Sequence, residues 1–451
     1  MSPVSRRQFV ASLGVVAGVA AVGCSRKTLE QIKPGNVPSL KPPFRLTVDW
    51  YRATVARLQA KLAQKGLVGA IVADVLNRNY LTGIFLTETE RSNYLFVPAK
   101  GEPVAFIPGL DRDMAASWWV KEFEWYFDYH HAGEYNQVVW KAGPRQDLFV
   151  WMLKGLAKRG FGKGRLGIDR EPTPSLAKRF QGALPEASLT DISADLLAMR
   201  QVKTQEELEL TQKAIDLHDA MLAFARDFIL AHGTNATDFD VRQAAQEFGT
   251  RTLMQAMGSE VDGHAHKAVG IGLGLSCRAG VSTAYPHPNQ FFYTRLARGQ
   301  AVQISGVIRI GGYGGEGYRA LHIEPMNDLQ RRMWEVHTEM TLRQAELCKA
   351  GAKCQDVAES VLAIARNAGM GKYVYHRPAH GQGMEGHQAP YIALGDETVL
   401  AENMTFSNEP GLYNLEGGYG YNHSNCVRVA RDRGVIMNKT PLTKEFCWLK
   451  I

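Results

Sequence analysis

The sequence predicts a mixed α/β protein of two domains, a layered α/β domain over residues 45–198 followed by an α+β domain over residues 199–451. Three observations carry that reading. Residues 45–195 alternate short apolar strand-like runs with helical patterns, which implies a sheet largely covered by helices. Near Met199 the texture changes, and Thr204-Gln-Glu-Glu207 forms a capping box that opens a long helix. Beyond that helix the histidines and carboxylates gather in short strands bounded by Gly, Pro and Asn turns.

The elements follow in order. Trp50–Gln64 is an amphipathic helix, and Val68–Asp74 is an apolar strand. Tyr94–Pro98, Pro103–Pro108 and Arg165–Asp169 are further strands of the first domain. In the second domain Leu208, Ile215, Met221, Leu222 and Ile229 recur at helical spacing until Gly233 ends the helix. A second long helix spans about Asp328 to Ala350, and no solenoid repeat is visible.

Residues 1–24 read as an export signal rather than as fold. Ser5-Arg6-Arg7-Gln8-Phe9-Val10 is a twin-arginine pattern, and the uncharged run from Phe9 to Val22 is too short to span a bilayer. Ala21-Val22-Gly23-Cys24 has the small-residue-then-Cys form of a lipoprotein cleavage site, so Cys24 is the expected lipidation position. Residues 25–44, with Pro34, Pro38, Pro42 and Pro43, form a linker. The expected location is the periplasmic side, lipid-anchored, with the membrane surface touched only through that anchor. The twin-arginine route carries proteins already folded, which fits a compact enzyme.

Composition removes several function classes. Of 451 residues, 52 are Lys or Arg and 45 are Asp or Glu, so the net charge is +7, and no basic run reaches five residues. That balance excludes a nucleic-acid footprint. Cys277, Cys348, Cys354, Cys426 and Cys447 are an odd, scattered set with no CxxC pair, which is no disulfide framework. They leave room for one disulfide and otherwise read as small buried hydrophobes. Gly311 to Gly317 imitates a phosphate loop but lacks the following Lys-Ser/Thr, so nucleotide binding is rejected. His264-Ala-His266 has metal-pair spacing without a third ligand and reads as a polar loop.

Four stretches hold most of the chemistry: Ala279 through His287-Pro288, Val302–Ser305 through Gly312–Arg319, His380-Gly-Gln-Gly-Met-Glu-Gly-His387 through Pro390, and Met404 through Asn408-Glu409-Pro-Gly411. Gly420-Tyr-Asn-His423-Ser completes the set. A histidine near its ordinary pKa of about 6.5 can take a proton from water and return it to a leaving amine. Two glutamates in a water-poor pocket can bind a cationic amidine or share one raised pKa. His287 is therefore read as general base then acid, and Glu409 and Glu316 as clamps on a polarised C–N group. His380, His387 and His423 are read as donors to a developing oxyanion.

In this order and spacing the motifs resemble the creatinase / prolidase / methionine aminopeptidase superfamily, the pita-bread fold, over about residues 45–451. The resemblance implies a creatinase-like N-terminal α/β domain followed by a C-terminal pita-bread catalytic domain. The superfamily's metallopeptidases hold two cations with Asp, Asp, His, Glu and Glu. Carried over, those positions are Ser305, Glu316, His380, Glu409 and His423. With a hydroxyl and an imidazole replacing two bridging carboxylates, the expectation is no metal and an exported hydrolase of a C–N bond in a small amidine, amide or peptide-like substrate. Creatinase is similar at His287, His380, Glu409 and His423, but has a second glutamate where this chain has Tyr318, placed here as a substrate-binding residue with His387. Creatine itself is therefore a poor candidate substrate. Asn79-Tyr80, twelve residues before Arg91, falls where creatinase presents an arginine to its dimer partner's site. A homodimer with Arg91 as a substrate-binding residue is the expectation. The competing readings are an Xaa-Pro aminopeptidase- or dipeptidase-like metallopeptidase with one Mn, Zn or Fe at Glu316, His380, Glu409 and His423, a non-catalytic binding protein of the same fold, and a lyase.

Overall fold

The computed structural model describes residues 29–86, 89–127, 147–261, 269–287 and 293–451. Cys24, the export signal and the His264-Ala-His266 pair lie outside the described residues. The architecture that follows is that of the compact unit Lys33–Ile451.

The first layer opens with helix α1 (Val48–Gln64), which Thr47 caps by accepting from the Trp50 amide. The strand expected over Val68–Asp74 is shorter, β1 (Gly69–Val72). Asp74 instead caps helix α2 (Val75–Thr82), accepting from the Leu76 and Asn77 amides, and so draws the chain out of the sheet. Strands β2 (Tyr94–Pro98), β3 (Val104–Pro108) and β4 (Glu122–Tyr126) follow. After helix α3 (Leu148–Lys158) come β5 (Lys163–Ile168), helix α4 (Pro174–Ala183) and β6 (Glu186–Asp191). They form one six-stranded mixed sheet in the order β4-β3-β2-β1-β5-β6. Ile71, Phe96, Phe106 and Ile168 pack with Met152, Leu153 and Leu156 of α3 into a closed apolar core.

Helix α5 (Ser193–Gln201) leads into the second domain, where α6 (Gln205–His232) begins at the expected capping box, with both Thr204 and Glu207 bonds formed. Helix α7 (Asp238–Val261) pairs with α6; the sequence did not announce it, and its faces are weakly segregated. Strands β7 (Gly272–Ala279), β8 (Ala301–Ile310) and β9 (Tyr313–Ile323) form an antiparallel sheet beneath these helices. The Gly311–Gly317 stretch is the β8–β9 turn and the start of β9. His218 of α6 presses so closely that a Cβ on Gly317 would lie 2.8 Å from its ring, and one on Gly306 would lie 3.0 Å away.

Helix α8 (Asp328–Leu347) ends before the expected Ala350, and a further helix, α9 (Cys354–Asn367), lies beside it. Both cover a second sheet made of β10 (Ala379–Gly381), β11 (Gln388–Ile392), β12 (Thr405–Asn408), β15 (Asn425–Val429) and β16 (Gly434–Ile436). Between β12 and β15 the chain makes a small hairpin, β13 (Leu412–Asn414) and β14 (Tyr419–Tyr421). The final strand, β17 (Trp448–Leu449), runs parallel to β9. The two sheets meet at a reciprocal backbone bridge between Tyr318 and Ser424. The five expected cysteines are buried and free. Among the described residues no helix is long and apolar enough to cross a membrane.

Candidate active site

The seam between the two sheets collects five of the candidate residues, Glu316, Tyr318, His380, His387 and Glu409. Glu316 and Tyr318 project from β9, on the face opposite His218, while Ser305 lies across from Tyr318 on β8. β10 contributes His380, the turn after it contributes His387, and Glu409 follows directly on β12. The two glutamates flank one imidazole: Nε2 of His380 lies 3.4 Å from Glu316 Oε2 and 3.2 Å from Glu409 Oε1. The His387 Nε2 approaches Glu316 Oε1 at 3.3 Å, and its ring stacks on that of His380 with centroids 3.6 Å apart.

Polar neighbours fix Glu316 in place. Tyr318 donates its hydroxyl to Glu316 Oε2 at 2.9 Å, and Ser407 donates to the same oxygen at 3.0 Å. Ser407 is in turn 2.8 Å from the hydroxyl of Ser424. The Glu316 amide donates to Gln382 Oε1, while Gln382 Nε2 donates to the Phe406 carbonyl, so one buried amide ties β9 to β12. Gln382 belongs to the His-Gly-Gln-Gly run, but the spacing of that run announces only its histidines. Arg319 is a second tie, donating to the carbonyls of Tyr318, Ser424 and Thr440 and to Asn425 Oδ1.

The electrostatics follow from this crowding. Burial works to raise the Glu316 carboxyl, but His380 and His387 overcome it and hold that group well below the usual range. Burial opposes charge on His380, yet the two carboxylates push its pKa up to about 10. The Tyr318 phenol is driven well above its ordinary value by burial and by Glu316 and Glu409.

His423 requires a correction. Its side chain is fully buried on the far side of the seam, away from the Glu316 cluster. Nδ1 accepts from the Ala320 amide at 3.2 Å, and the ring lies 4.5 Å from His337 and 5.5 Å, edge-on, from Trp334. The reason is strand alternation: Ser424 is turned toward Ser407 and the cleft, so its neighbour must face the other way. The residue carried to the last carboxylate position is thus Ser424, one place beyond the expected one. His387, not His423, is the second imidazole of the centre.

Among the described residues the remaining candidates form no hydrogen bond or ion pair with the cluster. His287 is exposed, one residue beyond the Pro286 carbonyl that accepts from Arg278 Nη1 at 3.3 Å. Arg91 sits in the first domain, pairing with Glu90 at 2.7 Å on the wall of a separate cleft of about 780 Å³ with Trp118 and Trp119. None of the Glu316 cluster lines that cleft.

The cluster fits one divalent cation. One oxygen of Glu316 and one ring nitrogen each of His380 and His387 lie within 4.8 Å of one another, and the buried His380 Nε2 makes no hydrogen bond of good geometry. Glu409 supplies a fourth donor beside it. Ser305 and Ser424 add only neutral hydroxyls, a weak set for bridging a second cation.

Comparison with known proteins agrees with this architecture. Residues 55–202 match the creatinase/prolidase N-terminal domain, and residues 209–431 match metallopeptidase family M24. The creatinase of Bacillus sp. (strain B-0618) is 24% identical over 424 residues, spanning 90% of this chain and 94% of that protein. An Xaa-Pro dipeptidase of Lactobacillus helveticus is 26% identical over 367 residues, 80% of this chain and 90% of its own. In structure, a prolidase from Thermococcus sibiricus superposes with a TM-score of 0.70 at 21% identity, covering 87% of this chain and 97% of that one. Dipeptidase PepE from Mycobacterium ulcerans gives 0.68 at 21%, covering 90% and 100%. With both domains matched in order, the chain belongs to the creatinase/prolidase superfamily of hydrolases.

Proposed function

We propose that the protein hydrolyses a C–N bond of a small, peptide-like substrate at a single centre made by Glu316, His380, His387 and Glu409, and that this centre holds one divalent cation. The observation that carries the reading is the convergence of two imidazoles and a carboxylate within 4.8 Å. The dipeptidases among the relatives support it. A cation bound there would polarise the scissile carbonyl and lower the pKa of an attacking water. Glu409, less buried than Glu316, would take a proton from that water. Tyr318 and Ser407 fix the Glu316 carboxylate, and the Gly381 carbonyl at His380 Nδ1 leaves Nε2 of that ring as the nitrogen for the cation. The return of a proton to the leaving nitrogen is assigned to His287, which is exposed to solvent.

A second reading has its own observation. Lying between two carboxylates, a protonated His380 balances part of their charge without any cation. Proton chemistry alone would then activate the water. A screen of dipeptides, X-Pro peptides, amides and amidines, run before and after chelation with the metal content measured, separates the two. Turnover lost on chelation and restored by Mn²⁺ or Zn²⁺ is expected. Chelator-insensitive turnover selects the second reading, and no turnover of any compound contradicts the hydrolase.

The proposal extends to where the enzyme works. Export through the twin-arginine signal with acylation at Cys24 would hold it at the membrane surface, and cell fractionation checks this. A homodimer delivering Arg91 to the neighbouring centre is checked by the mass in solution.

A further inference from the structure

His387 stands on the most exposed arm of the centre. Its side chain is 52% exposed, against 13% or less for Glu316, His380 and Glu409. It meets the other groups through Glu316 Oε1 and by stacking on the His380 ring. The turn that carries it is glycine at Gly381, Gly383 and Gly386. Glycine has the freest backbone of any residue, so such a turn samples many shapes unless something outside it holds it still.

What grips the turn is the segment that joins the two domains. Arg200, at the end of α5, donates from Nη1 to Glu385 Oε2 at 3.0 Å, and its side chain is 10% exposed. Gln201 Nε2 donates to the Ala389 carbonyl at 2.9 Å, two residues beyond His387. Lys203 is buried against the turn, so close that a Cβ on Gly383 would lie 2.9 Å from its Cε. Lys203 is itself held there: its amide donates to the Asn403 carbonyl and its Nζ to the Gln201 carbonyl. The turn also closes on itself at this place, with the Gly383 amide donating to the Glu385 carbonyl at 3.0 Å.

Three side chains of one short segment thus hold the chain on both sides of His387. Among the described residues none of the three bonds to Glu316, His380, His387 or Glu409, so any effect on the centre passes through the turn. The Arg200–Glu385 pair is more than a surface contact, because breaking it strands a buried guanidinium. We propose that Arg200, with Gln201 and Lys203, is a positioning residue of the centre: the interdomain segment is a latch that holds the Glu385 turn closed and so delivers His387 to the cation. The latch rests on the single-cation reading for its effect on affinity, and stands without it for the order of the turn.

The test pairs calorimetric titration of the chelated full chain with Mn²⁺ and hydrogen exchange of residues 381–389 in the cation-free protein. The proteins are the wild type, Glu385→Gln, Arg200→Lys, His387→Ala and the double variant Glu385→Gln/His387→Ala. Glu385→Gln keeps the shape of the side chain and is expected to weaken Mn²⁺ about tenfold. It should quicken exchange across 381–389 and leave exchange in β7, β8 and β9 unchanged. Arg200→Lys keeps a charged donor and is expected to retain part of the affinity. In the double variant the Glu385 change should add nothing to the loss from His387→Ala, since the turn then carries no ligand. Equal losses on both backgrounds, or exchange quickened throughout the molecule, would reduce the pair to general fold stability and overturn the latch. Wild-type affinity and exchange in Glu385→Gln would overturn it as well. If the wild type binds no Mn²⁺, the cation reading falls; faster exchange confined to 381–389 in Glu385→Gln then sustains the latch, and unchanged exchange ends it.

Discussion

At the scale of single residues, the make-up of the site turns on a one-place difference between His423 and Ser424. His423 is a core residue whose nitrogen satisfies the Ala320 amide, and Ser424 is the residue that reaches the cleft. His423→Ala should therefore lose about 2–4 kcal/mol of stability, from the cavity and the orphaned amide. Its kcat/KM per folded molecule should stay within about threefold of wild type, whereas His380→Ala should lose at least about a hundredfold. Thermal melts and kinetics on both variants check this. A His423→Ala protein that melts normally but is inactive would return that imidazole to the site.

At the scale of elements, much was legible before the structure. The capping box at Thr204 and Glu207 appears as read, because a cap is a local device set by two side chains and two amides. His380, Glu316 and Glu409 could be picked out because Gly- and Pro-rich turns position them in recognisable frames. What escaped depends on pairing between distant strands. Whether His423 or Ser424 faces the cleft is decided by the bridge to Tyr318, more than a hundred residues away, and a register of that kind leaves no local trace. Gln382 escaped for the same reason: it acts across a seam that exists only after folding. Helix α7 escaped because its apolar residues do not form a clean stripe.

At the scale of the whole molecule, four buried histidines give the fold a dependence on pH. Burial lowers His218 and His322 to about 4 and His337 to about 3, and holds His423 lower than its ordinary value as well. In the unfolded chain these groups titrate near 6.5, so above that pH both states are neutral and the full stability is present. Below it the unfolded state binds protons first, and stability is lost as pH falls toward 4, by up to about 2 kcal/mol for each group at pH 5. His380 acts in the opposite sense: raised to about 10 in the cation-free protein, its contribution is complete below 6.5 and lost as pH rises. Urea melts between pH 8 and pH 4.5 should show a midpoint that falls steadily below pH 6.5. A midpoint flat across that range would contradict neutral burial of these rings.

The chemistry of the whole site reduces to how many cations the seam can hold. Calorimetric titration of the chelated, folded protein with Mn²⁺ or Zn²⁺ measures that number directly. One cation per chain, bound at least about tenfold more weakly by His387→Ala and unaffected by His423→Ala, is the predicted result. Two cations per chain, or binding indifferent to His387, would contradict it.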